Sequence, residues 1–151
     1  MKFDTTILVA VLALAVPSLA RAEREVFDIG NPVYREECGG CHVAYPPQLL
    51  PKASWQAIMG GLDKHFGTDA SLDPATAKTI QTYLETNASR RAVTGKPPLR
   101  ITDTAWFKRE HDEVPAAKWS SAAVKSPANC SACHTKAEQG DYSERTLRVP
   151  K

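Results

Sequence analysis

Apolar side chains recur at helical spacing in the segment SWQAIMGGLDKHFG of the first half of the chain. The stripe consists of residues three or four positions apart: Trp55, Ile58, Met59 and Leu62. His65 continues the stripe, and Ser54 is a suitable N-cap at its start. The pattern predicts an amphipathic helix that ends near His65 and directs this imidazole toward whatever the stripe covers. Met59 lies within the stripe and is expected to pack there.

A second helical pattern follows in PATAKTIQTYLETNA, with Asp73 as N-cap and Pro74 at the first helical position. Its apolar positions again fall on one helical face: Ala77, Ile80, Leu84 and Ala88. Ahead of both patterns, residues 34–51 suggest a short helix and a proline-rich loop, VAYPPQLLP. The first half is therefore expected to be α-helical.

The second half is less regular and has few apolar residues. Asp103 is expected to cap a brief helix, TAWFKREH, in which Phe107 and His111 share one face. Ser126 and Pro127 predict the start of another helix, PANCSACHTKAEQ, which would stop at Gly140. The pattern as a whole predicts a mainly α fold with a smaller, irregular C-terminal part.

The first 22 residues have the layout of a secretory signal peptide. Lys2 precedes ten unbroken apolar residues, and the small-residue pattern Ala-Arg-Ala ends at Ala22. A membrane span needs about 20 apolar residues, so this stretch is too short to serve as an anchor. Cleavage after Ala22 would export the chain, and no later segment could cross a bilayer.

Cleavage of the signal peptide would also change the net charge of the chain. Cleavage removes Lys2, Arg21 and Asp4, so 17 of the 19 basic residues and 16 of the 17 acidic residues remain. A net charge of +1 lacks the basic excess of nucleic-acid-binding proteins. No nucleic-acid partner is expected.

The four cysteines all belong to two copies of one motif, CGGCH at residues 38–42 and CSACH at residues 130–134. A redox dithiol of the thioredoxin type needs a βαβ setting, for which the chain offers little strand-like alternation. Paired zinc motifs are usually separated by roughly 15–20 residues, whereas 88 residues lie between Cys41 and Cys130. Neither alternative explains a histidine directly after each second cysteine.

Covalent haem attachment does explain the histidine. Two cysteines three positions apart on a helical turn can both reach the vinyl groups of one haem, and the following histidine becomes an axial iron ligand. Two copies predict two haem c groups, one at Cys38 and Cys41 with His42, the other at Cys130 and Cys133 with His134.

The residue counts favour particular ligands for the remaining axial positions, with Met59 as the alternative to a histidine. Beyond His42 and His134, the mature chain contains only His65, His111 and one methionine, Met59. One spare histidine per haem favours bis-histidine ligation of both irons. Because His65 follows His42 by 23 residues and His111 precedes His134 by 23, these are the expected pairs; the crossed pairs are 69 apart.

Residues 89–102 are the expected boundary between two haem lobes. This segment combines Gly95 and two prolines with four basic residues and no acidic one: Arg90, Arg91, Lys96 and Arg100. A solvated linker is the simplest interpretation. A basic patch that pairs with haem propionates or docks an acidic partner is the alternative.

The chain resembles the small periplasmic dihaem cytochromes c of proteobacteria. The resemblance rests on EECGGCHVAYPPQLLP, on SWQAIMGGLDKHFG, and on the REHDEV and NCSACH segments. It implies a class I cytochrome c-like helical N-terminal lobe (residues 23–88), a linker (89–102) and a smaller C-terminal haem lobe (103–151). It also implies a non-enzymatic carrier that passes electrons from a membrane b-type cytochrome to an oxygen-binding monohaem cytochrome c.

Two other functions fit the same motifs. An electron-delivery subunit of a periplasmic reductase would use the same bis-histidine chemistry with a different partner. A dihaem peroxidase would leave one iron open and need distal catalytic groups, whereas the histidine count leaves no spare group if both irons are six-coordinate.

Overall fold

The computed structural model describes residues 26–151, so the predicted signal peptide at residues 1–22 lies outside the described part. The α-helices within this part are α1 (Pro32–Gly39), α2 (Lys52–Met59), α3 (Pro74–Asn87), α4 (Ala105–Glu110) and α5 (Ala116–Trp119). Single 3₁₀ turns lie at Pro47–Leu49, Leu62–Lys64, Ile101–Asp103, Cys130–Ala132, Ala137–Gln139 and Glu144–Thr146. Between residues 26 and 151 there are isolated β-bridges and no strand, which confirms the predicted mainly α fold.

None of the helices within residues 26–151 is long and apolar enough to cross a membrane.

Helix α3 follows the sequence prediction closely. The Asp73 carboxylate accepts hydrogen bonds from the backbone N–H groups of Ala75 (3.0 Å) and Thr76 (3.1 Å), and Pro74 opens the helix. The prediction succeeded because an N-cap and a proline act on their own helix end and need no distant contact.

Helix α2 differs from its predicted bounds at both ends. It begins at Lys52 after Pro51, so Ser54 lies inside the helix, fully buried, and is not the N-cap. It ends at Met59, because Gly60 and Gly61 interrupt the backbone before the 3₁₀ turn Leu62–Lys64. His65 therefore follows a turn and does not lie on the helix.

The protein core lies in the first half of the chain. Helix α3 packs against α1 and α2, and the buried cluster comprises Tyr34, Ala44, Leu50, Trp55, Ile80 and Leu84. The indole Nε1–H of Trp55 donates to the carbonyl of Pro47 at 2.8 Å, which ties α2 to the proline-rich loop. Met59 packs against this cluster, as predicted.

The second half consists of short turns around little apolar side-chain volume. Helix α4 is capped by Thr104, whose Oγ1 accepts from the Phe107 N–H at 3.1 Å, and not by Asp103. The predicted helix PANCSACHTKAEQ is wrong, since only the turns Cys130–Ala132 and Ala137–Gln139 form. Ser126 Oγ accepts from the Ala128 N–H at 3.2 Å, a local bond that competes with helix formation. Gly140 nevertheless ends this segment in the left-handed conformation, with a φ of 77°.

The segment that precedes α1 contacts both halves. The Phe27 N–H donates to the carbonyl of Gly140 at 2.9 Å, and the Tyr83 hydroxyl on α3 donates to the carbonyl of Asp28 at 3.3 Å. A Cβ at position 140 would collide with the Phe27 carbonyl oxygen, so only glycine fits this crossing. The two halves therefore share an interface next to the second C-x-x-C-H motif.

Candidate functional site

The first C-x-x-C-H motif extends from the end of α1 into the following loop. Cys38 lies on the last turn of α1 and packs against the core cluster, whereas Cys41 and His42 are exposed. Asn31 positions this helix, because its side-chain oxygen accepts from the Tyr34 N–H at 2.9 Å and Pro32 starts the helix. Local capping thus places the first cysteine at the edge of the core.

His65 faces His42 across an open space. Their ring centroids are 6.2 Å apart and their planes differ by 24°. His65 lies in a tight turn in which the Thr68 N–H donates to the His65 carbonyl at 3.0 Å. Phe66 within this turn has a positive φ of 49°, and its ring meets the His65 ring edge-on at 4.9 Å.

The second motif occupies the turn Cys130–Ala132 and the two residues after it. The His134 N–H donates to the carbonyl of Cys130 at 2.8 Å, and the Arg148 N–H donates to the carbonyl of Cys133 at 2.8 Å. Cys130, Cys133 and His134 are all half-buried. Backbone hydrogen bonds, one of them from the C-terminal segment, fix the position of this motif, and no long helix does so.

His111 faces His134 in the second half. Their ring centroids are also 6.2 Å apart, but their planes differ by 74°. His111 follows α4 and stacks on Phe107 with centroids 4.1 Å apart, while Trp119 lies 5.8 Å from the His111 ring. His134 packs against Tyr142 at 5.2 Å.

The two equal separations suit one iron between each pair of histidines. A metal–imidazole bond is about 2 Å and the ring centroid lies about 1 Å beyond the nitrogen, so two rings on opposite sides of a metal are about 6 Å apart. The structure brings together the pairs that the loop lengths favour. The assignment of each pair to one iron remains a proposal.

The hydrogen bonds of two of the imidazoles leave one nitrogen free for a metal. His42 Nδ1 lies 2.8 Å from the Val43 carbonyl, and His111 Nδ1 lies 3.0 Å from the Phe107 carbonyl. A carbonyl only accepts, so each Nδ1 carries the proton and Nε2 is available as a ligand.

Electrostatics favour the neutral, ligating form of the other two imidazoles. Burial lowers the pKa of His65, and the neighbouring His42 and Arg100 lower it further. Burial also lowers the pKa of His134, with His111 acting in the same direction. A neutral imidazole is the form that binds a metal.

A cavity of about 1010 Å³ lies between the two motifs. Both motifs contribute to its wall: Gly39, Gly40, Cys41 and His42 from the first, and Cys130 and Ser131 from the second. Neither motif is closed by a disulfide, since all four cysteines, which lie in the described part, are free. The free sulfurs fit covalently attached prosthetic groups, and of the four candidate axial histidines only His42 lines this cavity.

The sulfur environments also suit a neutral thioether. Burial, with a smaller contribution from Glu37, raises the pKa of the Cys38 thiol to about 11. Burial raises the pKa of the Cys130 thiol to about 11 as well. Both sites disfavour a charged thiolate, whereas a sulfur bonded to a haem vinyl carbon carries no charge.

Two of the basic residues in the segment 89–102 lie over aromatic rings. The Arg100 guanidinium lies 4.0 Å from the Phe66 ring centroid, and the Arg91 guanidinium lies 5.5 Å from that of Trp106. This segment is thus attached to both halves through cation–π contacts. Arg100 in particular lies beside the residue that follows His65.

Sequence reasoning missed several aromatic neighbours of the histidines. Tyr45 stacks on His42 with centroids 4.7 Å apart and planes 22° apart, and Tyr142 contacts His134. Tyr45 follows His42 by three residues, a spacing that could have suggested proximity. Nothing in the local pattern around Tyr142 indicates its position.

Residues 34–142 match the model of the family described as dihaem cytochrome c. Among curated proteins, no match to the chain is found.

Three solved structures are similar to this protein, and two of them are dihaem cytochromes c from Rhodobacter sphaeroides. The first is 44% identical and has a TM-score of 0.69, and the match covers 76% of this chain and 98% of the chain in the solved structure. The second is 46% identical, covers 74% and 96%, and has a TM-score of 0.66. A dihaem cytochrome c from Shewanella baltica is 42% identical, covers 80% and 93%, and has a TM-score of 0.71.

Proposed function

The chain belongs to the dihaem cytochrome c family, and we propose that it is a periplasmic, low-potential electron carrier with two bis-histidine haems. Family membership implies two covalently bound haem c groups and electron transfer. The finer assignment rests mainly on one observation, the 6.2 Å separation of the imidazole rings in both histidine pairs.

The proposed ligand sets follow the two motifs. Cys38 and Cys41 would hold the first haem through thioether bonds, with His42 and His65 as its iron ligands. Cys130 and Cys133 would hold the second in the same way, with His134 and His111 as its iron ligands. The haems would supply reversible one-electron chemistry; the protein would supply two ligands to each iron and an environment that lowers the pKa of His65 and of His134.

Two protein ligands on each iron are the physical reason for proposing an electron carrier and not an enzyme. An iron with two protein ligands has no open position for oxygen, peroxide or nitrite, so electron exchange is what it does readily. Two imidazoles also lack the methionine sulfur that raises the potential in high-potential cytochromes c. Met59 packs against the core cluster, and no other methionine occurs in residues 23–151.

The proposed setting is the periplasm, supported by the export pattern of residues 1–22. A membrane b-type cytochrome is the proposed electron donor, and an oxygen-binding monohaem cytochrome c the proposed acceptor. The proposed division into lobes is 23–88 and 103–151 with a linker at 89–102, and it is supported by the concentration of the core cluster in the first of these segments.

Carbon monoxide tests the closed coordination directly. Haem content is first established as two per chain by acid–acetone extraction, which removes only haem that is not covalently bound. The reduced protein should then bind carbon monoxide negligibly at neutral pH, because His65 and His111 occupy the sixth positions. Absorbance spectra record the result, and the unfolded protein, whose distal ligands are released, is the positive control. Stoichiometric binding at one haem of the folded protein would favour an enzyme.

A further inference from the structure

Tyr45 lies between the two C-x-x-C-H motifs and contacts His42 of the first motif and Ala128, two residues before the second. On one side its ring stacks on His42 at 4.7 Å, with only 22° between the planes. On the other side its hydroxyl donates a 2.7 Å hydrogen bond to the carbonyl of Ala128, 83 residues further along the chain. Within residues 26–151, no other hydrogen bond between side chain and backbone spans so many residues.

The Ala128 carbonyl in turn contacts Cys130, the first residue of the second motif. It accepts a second hydrogen bond, at 3.0 Å, from the backbone N–H of Cys130, and the Cys130 Sγ lies 3.7 Å from the same oxygen. A continuous series of contacts thus leads from the His42 ring through the Tyr45 ring and hydroxyl to Cys130. His42 is a proposed iron ligand, and Cys130 is a proposed attachment point of the second haem.

The position of Tyr45 is fixed by its own backbone. The Tyr34 hydroxyl, in the buried core cluster, donates to the Tyr45 carbonyl at 2.6 Å. Pro46 and Pro47, both buried, follow directly and restrict the chain. Tyr45 is therefore held by the first half while its hydroxyl reaches into the second.

We propose that Tyr45, which acts through His42 and Ala128, provides the electronic connection between the two haem sites. The proposal rests on the proposed function. In each exchange one ferrous iron is oxidised and the other, ferric iron is reduced; Tyr45 is neither oxidised nor reduced, and its proton stays on the hydroxyl. Tunnelling through bonds and hydrogen bonds decays less steeply than tunnelling across a gap, so loss of the 2.7 Å bond to Ala128 would open a gap in this route.

The hydrogen bond from the Phe27 N–H to the Gly140 carbonyl also joins the two halves, but it does not offer this route, because both backbone groups lie outside the two motifs. The bond from the Tyr83 hydroxyl to the Asp28 carbonyl lies within the first half. Neither bond connects a proposed ligand to a proposed attachment point.

The test uses Tyr45→Phe in the full-length dihaem protein. This variant keeps the ring over His42 and removes only the hydrogen bond to Ala128. After a laser flash generates flavin semiquinone as a one-electron reductant, time-resolved absorbance follows the internal electron exchange between the haems. The exchange should be several-fold slower than in the wild type, with both potentials and the low-spin spectra unchanged.

Tyr83→Phe is the matched control, because it removes a tyrosine hydroxyl bond to a backbone carbonyl that lies within the first half and touches neither motif. It should leave the exchange rate unaltered. The magnetic dipolar interaction between the two ferric irons, measured in each oxidised variant, reports their separation. An unchanged exchange rate in Tyr45→Phe would overturn the proposal, as would a slower rate accompanied by a changed dipolar interaction, which would make Tyr45 a structural spacer. Carbon monoxide binding by the wild type tests the proposed function separately, whatever the exchange rate in Tyr45→Phe.

Discussion

In His111→Ala, the second haem becomes high-spin and binds carbon monoxide, while the first haem stays low-spin and closed. The reason is the separate pairing of the histidines. The His111 ring lies 6.2 Å from the His134 ring, and the His65 ring lies at the same distance from the His42 ring. Since alanine offers no ligand, only the iron that His111 binds should lose its sixth position.

The measurement must show which of the two haems has lost its ligand, since a count of open irons does not distinguish them. Proton NMR can assign the high-spin iron, because the protons of Cys130 and Cys133 should acquire large paramagnetic shifts while those of Cys38 and Cys41 should not. His65→Ala is the matched variant and should give the reciprocal pattern. A high-spin signal on Cys38 and Cys41 in His111→Ala would mean that the pairs are crossed.

A companion variant covers the case in which His111→Ala folds poorly. His111→Met keeps a sixth ligand but replaces an imidazole by a thioether, which favours the ferrous iron. The potential of the second haem should therefore rise and that of the first should change little. A rise at the first haem would contradict the pairing as clearly as the alanine result.

The double variant Cys130→Ala/Cys133→Ala should lose the order of residues 103–151 while the first half stays folded. All members of the main core cluster lie between residues 34 and 84, and the buried apolar side chains after residue 103 are Phe107, Val124 and Ala137. Helices α4 and α5 have only six and four residues, and isolated helices shorter than about 12–15 residues are marginal in water. Without an attached haem, little remains to order this half.

Hydrogen exchange resolved by peptide is the appropriate measurement. Amides in residues 103–151 should exchange rapidly in the variant, whereas those of α2 and α3 should stay protected. Cys38→Ala/Cys41→Ala is the reciprocal control, in which α3 should keep partial protection because Ile80 and Leu84 still pack on Trp55. Unchanged protection of residues 103–151 would show that the C-terminal half has a sufficient protein core and would remove the reason for two haem lobes.

Features with local causes could be predicted from the sequence. The start of α3 depends on Asp73 and Pro74 alone, and both act on adjacent backbone groups. The mainly α class and the packing of Met59 follow from a periodicity that needs no knowledge of distant residues. The four histidines were proposed as ligands because the motif and the residue counts left few alternatives.

Features that depend on competing local bonds were predicted less well. Ser54 has the chemistry of an N-cap, but the chain after Pro51 is already helical at Lys52, so the serine is enclosed in the helix. The helix expected around the second motif does not form, because short-range hydrogen bonds, such as that from the Ala128 N–H to the Ser126 hydroxyl, stabilise turns there. Propensity alone does not decide between such alternatives.

Long-range contacts left no trace in the sequence pattern. The hydrogen bond between Tyr45 and Ala128 joins residues 83 positions apart, and neither belongs to a periodic stripe. The 24° and 74° angles between the imidazole planes depend on the packing of Phe66, Phe107 and Tyr142 around the rings. Only the folded chain reveals such arrangements.

The central claim is that both irons are closed by two histidines, and the electron paramagnetic resonance spectrum of the fully oxidised protein tests it most directly. Parallel imidazole planes split the two iron orbitals that interact with the rings, whereas perpendicular planes leave them nearly equal in energy. The spectrum should therefore contain two different low-spin ferric signals of equal intensity: a rhombic signal from the pair at 24° and a strongly anisotropic signal from the pair at 74°. A high-spin ferric signal that accounts for one of the two irons would contradict the claim.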